Sequence, residues 1–130
     1  YFNGFGAREN IDSDHVCLIN KFLKQKKEGQ PLTICGDGEQ RFDFIFVNDV
    51  IDATIKAGFN NRRMGGETIN IGSGKNFSVN QVAKMIDAPT TNIPDRPGDT
   101  RWTLADDNKA FAYLGWAPTI GLEEFIRSKK

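Results

Sequence analysis

Short strand-like runs alternate with amphipathic helical segments along the whole chain, and that alternation limits the possible folds more than any other feature of the sequence. Phe42-Asp43-Phe44-Ile45-Phe46-Val47 is the clearest strand, with its phenylalanines spaced by two and therefore on one face. Leu32-Thr33-Ile34-Cys35 is a shorter run, stopped by the turn residues Gly36-Asp37-Gly38. Thr68-Ile69-Asn70-Ile71 reads as another, leading into Gly72-Ser73-Gly74. Residues 14–28 carry Val16, Leu18, Ile19, Phe22 and Leu23 on a wide helical face, with Lys21, Lys24, Lys26 and Lys27 toward water and Gly29 as terminator.

A further helix is expected from Asp49 to about Gly58, capped by Asn48. Ser78 and Gln81 form a capping box for a helix through Ile86. Asp106 and Gly115 bracket a helix ending at Leu114, and a last amphipathic stretch follows Thr119 through Leu122, Phe125 and Ile126. Residues 87–99 are too rich in Pro, Thr and Asp to be one regular element. Most of the strands lack a hairpin signal, so they look like additions to a sheet whose principal strands lie elsewhere. The expected class is α/β, α+β-like in isolation, with about five helices.

Composition removes several functions. At 130 residues the chain is below the size of about 150 residues that sets the usual prior for one domain, so 1–130 is read as a single lobe. Lys and Arg number 17 against 17 Asp and Glu, which leaves no basic footprint for nucleic acid. No apolar run approaches the roughly 18 residues that a membrane span requires. Cys17 and Cys35 lack CxxC spacing and His15 is the only imidazole, so no metal centre is expected. The thiols are expected to be reduced and, with no charged leader before Tyr1, the location cytoplasmic.

The catalytic motifs of dinucleotide enzymes are not found in these 130 residues. Gly36-Asp37-Gly38 leads into a strand rather than a helix, and Gly72-Ser73-Gly74 lacks the third glycine of Gly-x-Gly-x-x-Gly. Neither Tyr1 nor Tyr113 has a lysine four positions on. What stands out is Arg96-Pro97-Gly98-Asp99. An arginine on a rigid turn suits forked recognition of phosphate and a nearby Asp suits ribose hydroxyls, although the pair can equally brace its own turn.

Five blocks in order then resemble one family. They are Tyr1-Phe2-Asn3-Gly4-Phe5-Gly6-Ala7-Arg8, "PLTICGDGEQ" from Pro31, "DFIFVNDVIDA" from Asp43, "NIGSGKNFSVNQVAKMI" from Asn70, and "RPGDTRWTLADDNKAFAYLGWAPTIGLEEFI" from Arg96. Together they are similar to the second half of the extended short-chain dehydrogenase/reductases that act on nucleotide sugars, most of all the UDP-hexose 4-epimerase branch.

The resemblance implies the C-terminal, substrate-binding part of an NAD-dependent nucleotide-sugar epimerase or dehydratase with a Rossmann-type fold. The glycine-rich loop and Tyr-x-x-x-Lys of the family lie upstream of its "YFN" segment. NAD would be the cofactor of the parent enzyme, and these residues alone would neither hold it nor turn over substrate. By position, Asn3 corresponds to an asparagine contacting the sugar diphosphate, Thr33 and Cys35 to the strand beside the uracil, Arg96 to a diphosphate arginine and Asp99 to an acid touching the ribose. One departure stands out. The family has arginine directly before the strand Asp, where this chain has Phe42, and the nearest arginine is Arg41. Adjacent strand residues face opposite sides, so Arg41 substitutes as a phosphate clamp only through a bulge or register change. The alternative reading is a non-catalytic module that forms a homodimer or binds a protein through an apolar face built from Phe2, Phe5, Phe42, Phe44 and Phe46.

Overall fold

The computed structural model describes residues 1–13, 15–60 and 65–129. Its elements in chain order are β1 (Asn3–Phe5), α1 (Leu18–Lys27), β2 (Leu32–Cys35), β3 (Arg41–Phe46), α2 (Val47–Gly58), β4 (Asn76–Ser78), α3 (Val79–Ile86), β5 (Thr90–Ile93), α4 (Asn108–Leu114) and α5 (Leu122–Arg127). The strands form a three-stranded sheet in the order β1-β3-β4 and a two-stranded sheet of β2 and β5. β1 runs parallel to β3, with Asn3 opposite Phe44, and β4 runs antiparallel to β3. This is the mixed α/β architecture expected from the alternation of elements.

The strand β3 organises the interior because both of its faces are covered. Phe44 packs into the larger core with Phe5, Phe22, Ile34, Val82 and Phe125, and Phe42 and Phe46 lie against the same cluster. Ile45, on the opposite face, joins Ala53, Ile71, Ala110 and Trp116 in a second cluster. Period-two alternation thus sends the phenylalanines one way and Asp43 and Ile45 the other.

Local signals account for several boundaries. Ser78 Oγ accepts from the Gln81 amide at 3.1 Å while Gln81 Oε1 accepts from the Ser78 amide at 2.9 Å, the reciprocal capping box that starts α3. Gly115 ends α4 in the left-handed conformation at φ 57°.

Other boundaries differ from the sequence expectation. Asp14, the expected start of the first helix, lies outside the described residues, and α1 begins only at Leu18. Cys17 is extended there, and its N–H is met by Glu9 Oε1 at 2.6 Å, a cap supplied from a preceding loop. Asn48 sits inside α2, whose cap residue is Phe46. Thr68–Ile71 forms no strand; one bond from the Phe2 N–H to the Ile71 carbonyl (3.0 Å) ties it beside β1. Within the Pro-rich stretch, Thr90–Ile93 is a strand because β2 supplies a parallel partner in the register Leu32–Thr90 through Cys35–Ile93. Finally, Phe5 and Phe44 are buried and Phe42 and Phe46 half-buried, so the phenylalanines form core rather than a bare apolar face.

Candidate functional site

The loop carrying Arg96 and Asp99 is held at both ends by the β2–β3 turn. At its entry, Asn92 Nδ2 donates to the Gly36 carbonyl (2.7 Å), and the Gly36 N–H donates to the Ile93 carbonyl (2.8 Å). At its exit, the Arg101 guanidinium makes two parallel bonds to the Asp37 carboxylate, each 3.0 Å. The Gly36 backbone lies at φ 60°, and a Cβ there would fall 1.8 Å from Asp95 Oδ1, so only glycine lets the loop pass this closely. Inside the loop the Asp99 N–H donates to the Arg96 carbonyl at 3.3 Å, and Gly98 takes φ 86°. Among the described residues the Arg96 side chain makes no ion pair or hydrogen bond, so it is not spent bracing this turn.

The Asp37–Arg101 clamp has a pH signature. The Arg101 guanidinium, helped by the Glu39 N–H, holds the Asp37 carboxyl at about 2, below its ordinary 3.8. A carboxyl depressed by folding contributes stability that is present above the unfolded-state value and is lost as pH falls through the folded one. Carbon-detected NMR titration is expected to place the Asp37 midpoint near 2. Arg101→Gln should bring it back toward the ordinary carboxylate range, and an unmoved midpoint would refute the clamp.

Arg96 overhangs two adjoining cavities. One, of about 460 Å³, is lined by Asn3, Val16, Phe42, Phe44 and Arg96 among others. Its neighbour, of about 180 Å³, is lined by Lys21, Thr33, Cys35, Phe42, Arg96 and Asp99, with Gln40 and Val79 at its wall. Asn3 borders the first part of this two-part cleft and Thr33, Cys35 and Asp99 the second, with Val16, Leu18, Phe42 and Arg96 common to both. Asn3 is steadied by its own amide, which donates to the Asp43 carbonyl at 2.9 Å. Cys17 also borders the cleft, but burial pushes its thiol up to about 11, so it is protonated and not nucleophilic at neutral pH.

Arg41 stands outside this cleft. Its Nε donates to Asn76 Oδ1 (3.0 Å) and its Nη2 to the Asn76 carbonyl (3.2 Å), which fastens β3 to β4. Strand alternation gives the reason: β3 has no bulge, so Phe42 faces the cleft and the neighbouring arginine cannot. Arg41, expected from sequence among the substrate contacts, is placed by the structure in a β3–β4 contact and not on the cleft lining. Lys21 and Gln40, by contrast, were not singled out by sequence; nothing in a lysine-rich helix marks which lysine faces a cavity.

Donors of the Gly72-Ser73-Gly74 turn are already used within the chain. Asp43 is fully buried, and its carboxylate accepts from the Ser73 N–H and Oγ (both 2.7 Å), the Gly74 N–H (3.1 Å) and the Ala105 N–H (3.0 Å). The Ser73 and Gly74 N–H groups thus already serve a carboxylate of the chain's own. Asp49 is used similarly: its carboxylate accepts from Thr119 N–H and Oγ1 and from the Ile120 N–H, fixing the approach to α5 rather than merely supporting its own helix start.

A larger cavity, of about 710 Å³, lies between residues 4–9 and the start of α2, but its lining is mainly backbone and apolar and includes none of Thr33, Cys35, Arg96 or Asp99. No group of three or more His, Cys, Asp or Glu among the described residues could hold a metal, and no described helix is long and apolar enough to cross a membrane.

Residues 1–72 match the model of the NAD dependent epimerase/dehydratase family. The chain is 32% identical over 134 aligned positions to a UDP-glucuronate 4-epimerase of Thermodesulfobacterium geofontis, covering 98% of this chain and 39% of that protein. It is 33% identical to UDP-glucuronic acid decarboxylase 2 of Arabidopsis thaliana, covering 95% of this chain and 28% of the relative. The crystal structure of a Bacillus cereus UDP-glucuronic acid 4-epimerase in complex with UDP-glucuronic acid and NAD superposes with a TM-score of 0.87 at 31% identity, over 99% of this chain and 42% of that one. The chain thus spans about two-fifths or less of the length of these relatives.

Proposed function

The chain belongs to the NAD dependent epimerase/dehydratase family, and from that premise we propose that residues 1–130 form its nucleotide-sugar-binding lobe, with a UDP-hexose-like ligand. The observation that carries the reading is the shared cleft: an unpaired arginine, an aspartate, an asparagine amide and a neutral strand edge converge on it. Arg96 supplies the planar donor fork that suits a diphosphate. Asp99 accepts from ribose hydroxyls, Thr33 and Cys35 border the base, and Asn3 faces the sugar end.

Such a lobe contributes binding energy remote from the reacting carbon, which orients the sugar for chemistry carried out elsewhere in an enzyme of this family. No NAD site is assigned to the described residues, in which the Ser73 and Gly74 N–H groups already serve Asp43. No redox step is assigned to them, and the chain by itself is expected to leave UDP-sugars unconverted. The relatives include both 4-epimerases and decarboxylases, and the cleft residues are compatible with either reaction.

The test is titration of the 130-residue chain with UDP-glucose, UDP and ADP, followed by calorimetry and amide NMR shifts. UDP-glucose and UDP should bind more tightly than ADP, with shifts clustered at residues 33–35 and 96–99. Arg96→Gln should weaken UDP binding about 10- to 100-fold, the equivalent of the roughly 1.5–3 kcal/mol carried by a charged hydrogen bond. Equal affinity for ADP, or an Arg96→Gln variant that binds normally, would refute the proposal.

A second reading, self-association or docking on a protein, draws on a different face from the phenylalanines. Val47, Ile51 and Ile55 along α2, and Phe59 at its C-cap, recur every four residues and are 40%, 46%, 53% and 84% exposed. Such a stripe suits an apolar partner, and mass in solution across a concentration series discriminates the two readings.

A further inference from the structure

We infer that Lys21 is a second phosphate-binding cation of the cleft, beside Arg96; this rests on the nucleotide reading above for the identity of the ligand. Lys21 lies three residues after Leu18 on α1, and both side chains border the 180 Å³ cavity with Arg96 and Asp99. Its charge is available. Among the lysines of the same helix, Lys24 is paired with Asp12 (2.7 Å), the Lys26 ammonium donates to the Ile86 carbonyl (2.5 Å), and Lys27 points into solvent. Lys21 is half-buried and makes no hydrogen bond or ion pair among the described residues.

Two cations facing one cavity without partners repel each other unless an anion lies between them. Asp99 borders the same space, but it is exposed and forms no ion pair with either. Among the described residues, Glu9 beside the start of α1 is committed to the Cys17 N–H and the Asn20 amide.

A separate observation indicates that the cavity wall lacks a partner. Gln40, 7% exposed, donates through Nε2 to the Cys35 carbonyl at 3.0 Å, while its Oε1 is buried and has none. The Cys35 carbonyl fixes the orientation of the amide, so the orphan is an acceptor. A buried acceptor left unsatisfied is costly, which sets this wall apart from the satisfied polar groups around it. An anionic group between Arg96 and Lys21 relieves the repulsion of the two cations, and a diphosphate is such a group.

The experiment compares the 130-residue chain with Lys21→Gln and Lys21→Arg, titrating each with inorganic pyrophosphate, UDP and uridine and following amide shifts. The original chain should bind pyrophosphate and UDP with shifts at residues 21 and 96–99. Lys21→Gln should lose about tenfold or more in affinity for both anions, Lys21→Arg should retain affinity within about threefold, and uridine should bind all three alike. Unchanged anion binding by Lys21→Gln, or shifts that bypass residue 21, would overturn the assignment while leaving UDP binding, and so the lobe reading, intact. Pyrophosphate binding that depends on Lys21, with UDP no tighter than pyrophosphate, would uphold the anion site and refute the nucleotide reading. Absence of binding by both anions to the original chain would overturn both.

Discussion

Asp43→Ala is expected to lower the unfolding free energy by about 3–5 kcal/mol, from roughly 1–3 kcal/mol for a buried donor left without an acceptor, in full at the buried Ala105 N–H and reduced by water at the part-buried Ser73 and Gly74 donors. Asp43 is fully buried on β3, and its two oxygens serve four donors from two distant segments, 73–74 and 105. Of the four, the Ser73 hydroxyl has a second acceptor in the Lys75 carbonyl (2.9 Å), and the turn is packed closely, since a Cβ at Gly72 would meet the Ala105 Cβ at 2.4 Å. Asp43→Asn keeps one acceptor oxygen and places an amide group against donors, so an intermediate loss is expected. Urea unfolding of the two variants measures both values. A loss below about 1 kcal/mol in Asp43→Ala would mean that these amides resolvate freely and that the carboxylate is not what organises the turn.

Trp116→Ala should cost a similar amount, about 3–5 kcal/mol, the range for truncating a buried aromatic to alanine. Trp116 is completely buried against Ile45, Ala53, Ile71 and Ala110, and its indole N–H donates to the Asp49 carbonyl at 3.0 Å. Trp116→Phe separates the two contributions. It keeps most of the packing and leaves the Asp49 carbonyl without its donor, for an expected loss of about 1–2 kcal/mol. If thermal or urea unfolding showed Trp116→Ala within 1 kcal/mol of the parent, the second cluster would not be a cooperative part of the fold. Both predictions concern the same face of β3, the one turned away from the cleft. Its support fixes which residues of β3 reach the ligand side.

That division was partly legible beforehand. The phenylalanine spacing indicated that Phe42, Phe44 and Phe46 share a face, and the same alternation indicated that Arg41 cannot stand in for an arginine at 42. Less legible was the use of the faces. The phenylalanines could have formed a bare docking surface, and only packing against α1, α3 and α5 shows them to be core. The loop carrying Arg96 and Asp99 was recognisable from its residues, whereas its placement depends on Asp37, Gly36 and Asn92, which no local pattern connects to it.

The sequence by itself determined the features whose causes lie within about one helical turn or strand repeat: the Ser78–Gln81 capping box, the Gly115 stop, the alternation along β3, and the ordered blocks that mark the family. Tertiary structure alone decided the rest. Thr90–Ile93 becomes a strand because β2 offers it a parallel edge, and Thr68–Ile71 does not, its link to β1 among the described residues being the Phe2–Ile71 bond. Glu9 sets where α1 begins, and the direction of the α1 face singles out Lys21 from its neighbouring lysines. The physical reason is common to these cases. Propensity and capping act between near neighbours, whereas strand pairing and the destination of a carboxylate or ammonium depend on groups that only chain folding brings together.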